Sequence, residues 1–231
     1  CASEVLCMAI VKEERIGGQR LILGDCLQVM PLLGEFDAVV TDPPYGIAKK
    51  WTGSVGSGWG NQRSMQGVRN KWDKSPLGQS EINKVLNSAK CAIIWGGNYF
   101  PLPPSRCWLI WVKPERNFSL AEAEMAWTNI DAVVRVVEAP RQESGKVHPT
   151  QKPLSVIAFC LNKVKNAQTI IDPFMGSGTT LVACQKLGRQ GTGIELDPDY
   201  FDIACKRVDE ATRQPDLFVE PAPKPTQEVL L

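Results

Sequence analysis

The 231-residue sequence holds a single histidine, His148, and none of its eight cysteines is spaced as a Cys-x-x-Cys pair. A histidine-rich zinc site is thereby excluded, and a cysteine-only metal cluster has no motif to build on. No apolar run approaches the ~20 residues of a membrane span; Cys91–Trp95 and Trp108–Val112 are short. The sequence therefore reads as not membrane-embedded. Neither sign of charge is in excess, with 26 Lys plus Arg against 25 Asp plus Glu, which excludes a histone-like polyelectrolyte. A basic start followed by a long apolar stretch is missing too, so no secretory leader is read, and residues 1–7, ahead of Met8, are given no weight. No segment repeats. What is present is 43% hydrophobic residues, enough for one ordinary domain. At this length a core can bury roughly 70% of the unfolded chain's surface, so neither disulfides nor a structural metal is required. Several cysteines lie inside apolar segments and read as reduced core thiols of a cytoplasmic protein.

Charge is unevenly placed. From Lys49 to Lys74 six basic residues (Lys49, Lys50, Arg63, Arg69, Lys71 and Lys74) stand against one acid, Asp73, a balance of +5 with Trp51, Trp59 and Trp72 interleaved. Glycines throughout this stretch predict a loop. From Leu196 onward eight acids against four bases reverse the sign. Elsewhere short apolar runs alternate with helical patterns. Strands are predicted at Gln19–Leu23, Asp37–Thr41, Cys91–Trp95, Trp108–Val112, Met125–Thr128, Val133–Val137, Thr169–Asp172 and Gly191–Glu195. A turn near Asn129–Asp131 is expected to join the fifth and sixth of these. Helices are predicted over Ser80–Lys90, Leu154–Lys165, Thr179–Leu187 and Pro198–Thr212. Such alternation implies an α/β fold, a mostly parallel twisted sheet with helices on both faces. The domain reading is an N-terminal extension over 1–18, one domain over 19–213 with a basic loop at 46–78, and a proline-rich tail over 214–231 expected to be disordered.

Two constellations carry chemistry. The first, Asp172-Pro173-Phe174-Met175-Gly176-Ser177-Gly178-Thr179-Thr180, follows one apolar strand and opens a helix. Its glycines allow close backbone approach to a ligand, and a helix N-terminus favours negative charge such as a carboxylate. Glu195 stands 23 residues after Asp172, at the end of the next strand, where an acid can accept hydrogen bonds from ribose hydroxyls. Strand, loop, helix, strand and acid together point to a nucleoside-cofactor site; the plainer alternative is a tight turn. The second is Asp42-Pro43-Pro44-Tyr45. Two prolines cannot extend a sheet, so the chain leaves the strand end in a rigid turn. Asp42 and the Pro43 carbonyl supply acceptors for the two N–H protons of an exocyclic amine, and Tyr45 supplies a ring to stack on the base. The alternative is a solvated turn with a capping Asp.

These two motifs resemble the catalytic and cofactor motifs of the S-adenosylmethionine-dependent DNA amino-methyltransferases, and the resemblance runs over about residues 19–210. Catalytic motif before cofactor motif is similar to the circularly permuted beta group, and the compact chain is similar to phage and prophage methylases. The resemblance implies a Rossmann-like methyltransferase fold and S-adenosyl-L-methionine as cofactor, with no metal. It implies catalytic residues Asp42, Pro43, Pro44 and Tyr45. The implied cofactor set is Asp172, Phe174, Gly176, Ser177, Gly178, Thr179, Glu195 and Leu196, together with Asp25 and Cys26 near the adenine. His148, Thr150 and Lys152, in a His-Pro-Thr-Gln-Lys-Pro segment, are placed near the methionine moiety.

In that family Asp before the two prolines mostly accompanies N6-adenine transfer and Ser more often N4-cytosine transfer, so adenine is the expected target. A base inside a duplex is out of reach and must be flipped, making double-stranded DNA the expected partner. Lys49, Lys50, Arg63, Arg69 and Lys71 are the expected phosphate contacts; a solvated basic insertion is the alternative. The interval 113–147, where the family carries its target-recognition region, is short, which implies a short or relaxed recognition sequence. Gln214-Pro215-Asp216-Leu217-Phe218 is similar to peptides that dock on the bacterial sliding clamp, though Leu217 and Phe218 could instead pack on the domain. A homodimer and a restriction-modification role in a bacterial or phage-infected cytoplasm complete the expectations. Competing readings were N4-cytosine transfer, a protein-glutamine or RNA methyltransferase, for which Asn rather than Asp42 is usual, a non-catalytic DNA-binding modification subunit, and a nicotinamide dehydrogenase, in which Asp42 would have no role.

Overall fold

The computed structural model describes residues 9–46, 76–115, 121–141 and 151–213. Within them nine strands make one sheet: β1 (Ile10–Ile16), β2 (Gln19–Gly24), β3 (Phe36–Thr41), β4 (Ala89–Trp95), β5 (Trp108–Val112), β6 (Ala123–Thr128), β7 (Arg135–Glu138), β8 (Thr169–Asp172) and β9 (Gln190–Glu195). Their spatial order is β1-β2-β9-β8-β3-β4-β6-β5-β7. The five central strands, β2, β9, β8, β3 and β4, pair in parallel. Strand β1 is antiparallel to β2, and β6 runs antiparallel between β4 and β5.

Successive residues of a strand point to opposite faces, and both faces here are covered. Ala38 and Val40 of β3, Ile93 and Trp95 of β4 and Ile170 of β8 join one buried cluster. Val39, Ile94 and Ile171, their immediate neighbours, join another. The first face is closed by helix α3 (Leu154–Leu161) through Val156, Ile157, Cys160 and Leu161. The second is closed by α1 (Cys26–Val29) and by α2 (Gln79–Asn87) through Ile82 and Val85. Helix α4 (Thr179–Lys186) follows β8, and α5 (Pro198–Arg213) follows β9. Helix α5 buries Phe201, Ala204, Val208 and Ala211, a one-stripe spacing, over Leu21 and Leu181. Four of the expected core thiols, Cys26, Cys107, Cys160 and Cys184, are buried, while Cys91 and Cys205 are half-buried.

The α/β sheet with helices on both faces is as read from the sequence, with three differences. Residues 10–16, left in an N-terminal extension by the sequence reading, form edge strand β1. Its Lys12, Glu13, Glu14 and Arg15 hide the apolar alternation a strand reading depends on, and such charges suit an edge that must not recruit another chain. The turn near Asn129–Asp131 does not close a hairpin: β6 pairs with β4 and β5, and β7 lies parallel to β5 on its far side. Asn129 holds the chain to the edge of β4 instead, its amide oxygen accepting from Ala92 N at 2.7 Å and its amide nitrogen donating to Lys90 O at 3.0 Å. Helix α3 also ends earlier than expected, with Asn162 as its C-cap.

Parallel pairing sends the carboxyl ends of the five central strands to one side of the sheet. From β8 the connection through α4 leads to β9, and from β3 the connection through α2 leads to β4, in opposite directions from the shared β8–β3 border. The crevice outside the strand ends at such a reversal is where open α/β sheets bind ligands.

Candidate active site

Strand β3 delivers Asp42 and β8 delivers the glycine loop to adjacent tips, and one hydrogen bond ties them: Thr41 Oγ1 donates to Asp172 Oδ1 at 2.7 Å. Asp172 is 4% exposed and also accepts from Phe174 N at 3.2 Å. Burial pushes its carboxyl up to about 6 against the pull of the Thr180, Thr41 and Phe174 donors. It braces the loop from beneath. Gly176 and Gly178 stand at φ +52° and +77°, and a Cβ on Gly178 would meet Ala204 Cβ at 2.9 Å. Only glycine fits that close approach of α4 to α5. At Gly176 a Cβ would meet nothing within 4 Å, so open space lies beside the loop.

The neighbouring tips complete a row. Glu195, ending β9, accepts from Gly176 N at 2.9 Å, Leu196 N at 2.9 Å and Asp197 N at 2.8 Å, and burial raises its pKa. Asp25, after β2, caps α1 by accepting from Leu27 N at 2.9 Å, and burial pushes the adjacent Cys26 thiol up to about 12. From α5, Arg207 Nη1 donates to the Ser177 carbonyl, to Ser177 Oγ at 2.9 Å and to Thr179 Oγ1 at 3.1 Å. The sequence reading missed Arg207, and also Gln151, whose Oε1 accepts from Ser177 Oγ at 3.3 Å.

On the other flank Tyr45 Oη donates to Asp42 Oδ1. Its ring is stacked on Tyr99 with centroids 4.9 Å apart at 20°, and lies edge-on to Phe100. The expected base-stacking face of Tyr45 is therefore already occupied on one side. Tyr99, 47% exposed, is the ring open to solvent, delivered by the short turn after β4 and unmarked by any motif. Lys152, expected near the methionine moiety, donates to Asp42 Oδ2 at 2.5 Å and pairs with Glu124 at 3.0 Å.

The DNA methylase family (N6_N4_Mtase) matches residues 70–206, more than half of the sequence. The chain belongs to that family. Its similarity to Type II methyltransferase M.HinfI from Haemophilus influenzae is 40% identity over 76 residues, 32% of this chain and 21% of that protein. Matched stretches span only 21 to 24% of the length of the curated relatives. Among solved structures, the crystal structure of an M1.HpyAVI–SAM complex superposes with a TM-score of 0.51 at 21% identity, over 83% of this chain and 99% of that one. PvuII DNA methyltransferase (cytosine-N4-specific) superposes with a TM-score of 0.58 at 13% identity, over 88% and 94%. Both likenesses are of fold.

In this member of the family Asp25, Cys26, Asp42 to Tyr45, Asp172 to Thr179, Glu195 and Leu196 lie along one row of strand ends, with Lys152 against Asp42. His148 and Thr150, and the basic residues Lys49, Lys50, Arg63, Arg69 and Lys71, lie outside the described residues, as does Gln214–Phe218. Among the described residues no helix is long and apolar enough to cross a membrane.

Proposed function

We propose that this chain transfers a methyl group from S-adenosyl-L-methionine to the N6 amine of an adenine flipped out of double-stranded DNA. The observation that carries the reading is the Thr41–Asp172 bond, which ties the strand end bearing the Asp42 turn to the strand end bearing the glycine loop. The residues suit the cofactor: open space beside Gly176 lets an extended ligand approach the backbone, and Glu195 lies against the loop at the next strand end, the position from which an acid binds ribose hydroxyls in such sheets. When bound, S-adenosyl-L-methionine supplies an electrophilic sulfonium methyl.

The chain's own part is positioning. Tyr45 and Lys152 engage the two oxygens of Asp42, so the remaining lone pairs of the carboxylate, with the Pro43 carbonyl, define where the amine must sit. Accepting hydrogen bonds from both N–H groups draws the amine nitrogen toward sp³ geometry and aims its lone pair at the methyl group; as the C–N bond forms and the S–C bond breaks the nitrogen becomes cationic, and one N–H proton then leaves to water. That is catalysis by orientation and by stabilisation of charge developing on nitrogen. Asp at the first position of the turn, which in the resembling family mostly accompanies adenine, supports N6 over N4 transfer.

Unmethylated DNA incubated with methyl-labelled cofactor and digested to nucleosides tests the reading by mass spectrometry. N6-methyladenine is expected. N4-methylcytosine would overturn the base assignment, and label in RNA or protein would overturn the substrate class.

A further inference from the structure

Two lysines are buried beside the crevice and paired with acids. Strand β5 runs parallel to β4, and β6 runs against both, so the carboxyl end of β5 and the start of β6 reach the same side of the sheet as Asp42. There Lys113, immediately after β5 and 3% exposed, pairs with Glu124 of β6. Glu124 pairs in turn with Lys152, 8% exposed, which holds Asp42. The ammonium of Lys152 lies 5.3 Å from the centre of the Trp95 ring, and that of Lys113 lies 4.6 Å from the centre of Trp111. Two ammonium groups and two carboxylates alternate along one line.

We propose that Lys113, Glu124 and Lys152 are positioning residues, an ion chain of two buried lysines and half-buried carboxylates that fixes the Asp42 carboxylate for the incoming amine. The inference rests on the function proposed above and deepens it by moving Lys152 from the cofactor side of the crevice to the base side. Isolated buried charges are costly, and removing one partner strands the other. The chain offsets this by alternation: burial disfavours the Lys152 ammonium, yet Asp42, Tyr45 and Glu124 hold its pKa well above the usual lysine value. Burial likewise opposes ionisation of Glu124, but Lys152 and Lys113 lower its pKa to about 2. A lysine held between two carboxylates cannot swing away, so the Asp42 oxygen it touches stays in one place. Two of the three N–H donors of Lys152 are committed to Asp42 and Glu124, which ties the ammonium to the base side of the crevice.

The test measures methyl transfer and cofactor affinity in Lys152→Met, Lys152→Arg, Glu124→Gln and the charge-balanced double variant Lys113→Met with Glu124→Gln. Misplacing a reacting group by about 1 Å costs up to about a hundredfold, so Lys152→Met should lose kcat on that scale with the cofactor KM within about threefold. Lys152→Arg should recover part of the loss. The double variant, which leaves no unpaired buried charge, should fold and still lose about tenfold in kcat. Loss of cofactor affinity in Lys152→Met with kcat intact would overturn the proposal, as would a folded double variant turning over at the wild-type rate. A thermal-unfolding cycle of Lys152→Met and Glu124→Gln gives a readout free of activity: effects well short of additive are expected, and strict additivity would contradict the pairing. A wild-type chain that labels no nucleic acid would overturn the functional reading, and the unfolding cycle then decides the ion chain on its own.

Discussion

At Gly96 a Cβ would lie 2.1 Å from Tyr45 Cε1. That closeness lets the Tyr45 ring slide over the end of β4 onto Tyr99 and aim its hydroxyl at Asp42. Gly96→Ala should therefore expel Tyr45, destabilising the fold by about 2–4 kcal/mol through overpacking and a strained left-handed backbone. Urea unfolding checks this, and a change within about 0.5 kcal/mol would show that the ring is not seated there. The residues hardest to find in the sequence are of this kind. Lys152 and Asp42 are 110 positions apart, and Glu124 sits in a strand whose pattern gives no sign of a partner. A lysine or glutamate in a short polar interval reads as solvated until topology brings another charge to it. Asp42 and the glycine loop were legible because prolines and glycines mark local backbone geometry that needs no distant partner.

Elements divide along the same physical line. Strands β3, β4, β5 and β8 are apolar enough to be read directly, and helix α5 shows its buried stripe in spacing alone. Edge strand β1 was hidden by its charges, and the β6–β7 connection by a side-chain bond from Asn129 that no turn rule anticipates. The coupling between elements has a pH signature. Asp172, 4% exposed, pins β8 to β3 with a folded pKa of about 6, above the ordinary 3.8. Its protonated form is the favoured one, so its stabilising contribution is full below 3.8 and is lost as pH rises through 6. The shift corresponds to about 3 kcal/mol. Glu124 acts oppositely: its folded pKa of about 2 lies below the ordinary 4.5, so its contribution is present above 4.5 and lost as pH falls toward 2. Asp172→Asn keeps an acceptor for Thr41 and Phe174 but cannot ionise. Unfolding free energies at pH 4 and pH 7.5 should show wild type losing ground to the variant as pH rises, and parallel profiles would contradict the assignment.

Over the described residues as a whole, the proposed function follows from where parallel strands end. Five of them place the cap of α1, the Glu195 tip, the glycine loop, the Asp42 turn and the Tyr99 turn in one row, with the connections reversing between β8 and β3. A nucleoside-bearing donor along one half of that row and a planar base at the other half would meet at the reversal. The most direct test compares Asp42→Ala with wild type for both methyl transfer and equilibrium cofactor binding, in protein whose thermal unfolding stays cooperative. The account predicts transfer reduced by about a thousandfold or more, with the cofactor Kd within about threefold of wild type. Retained turnover, or cofactor binding lost together with transfer, would contradict it.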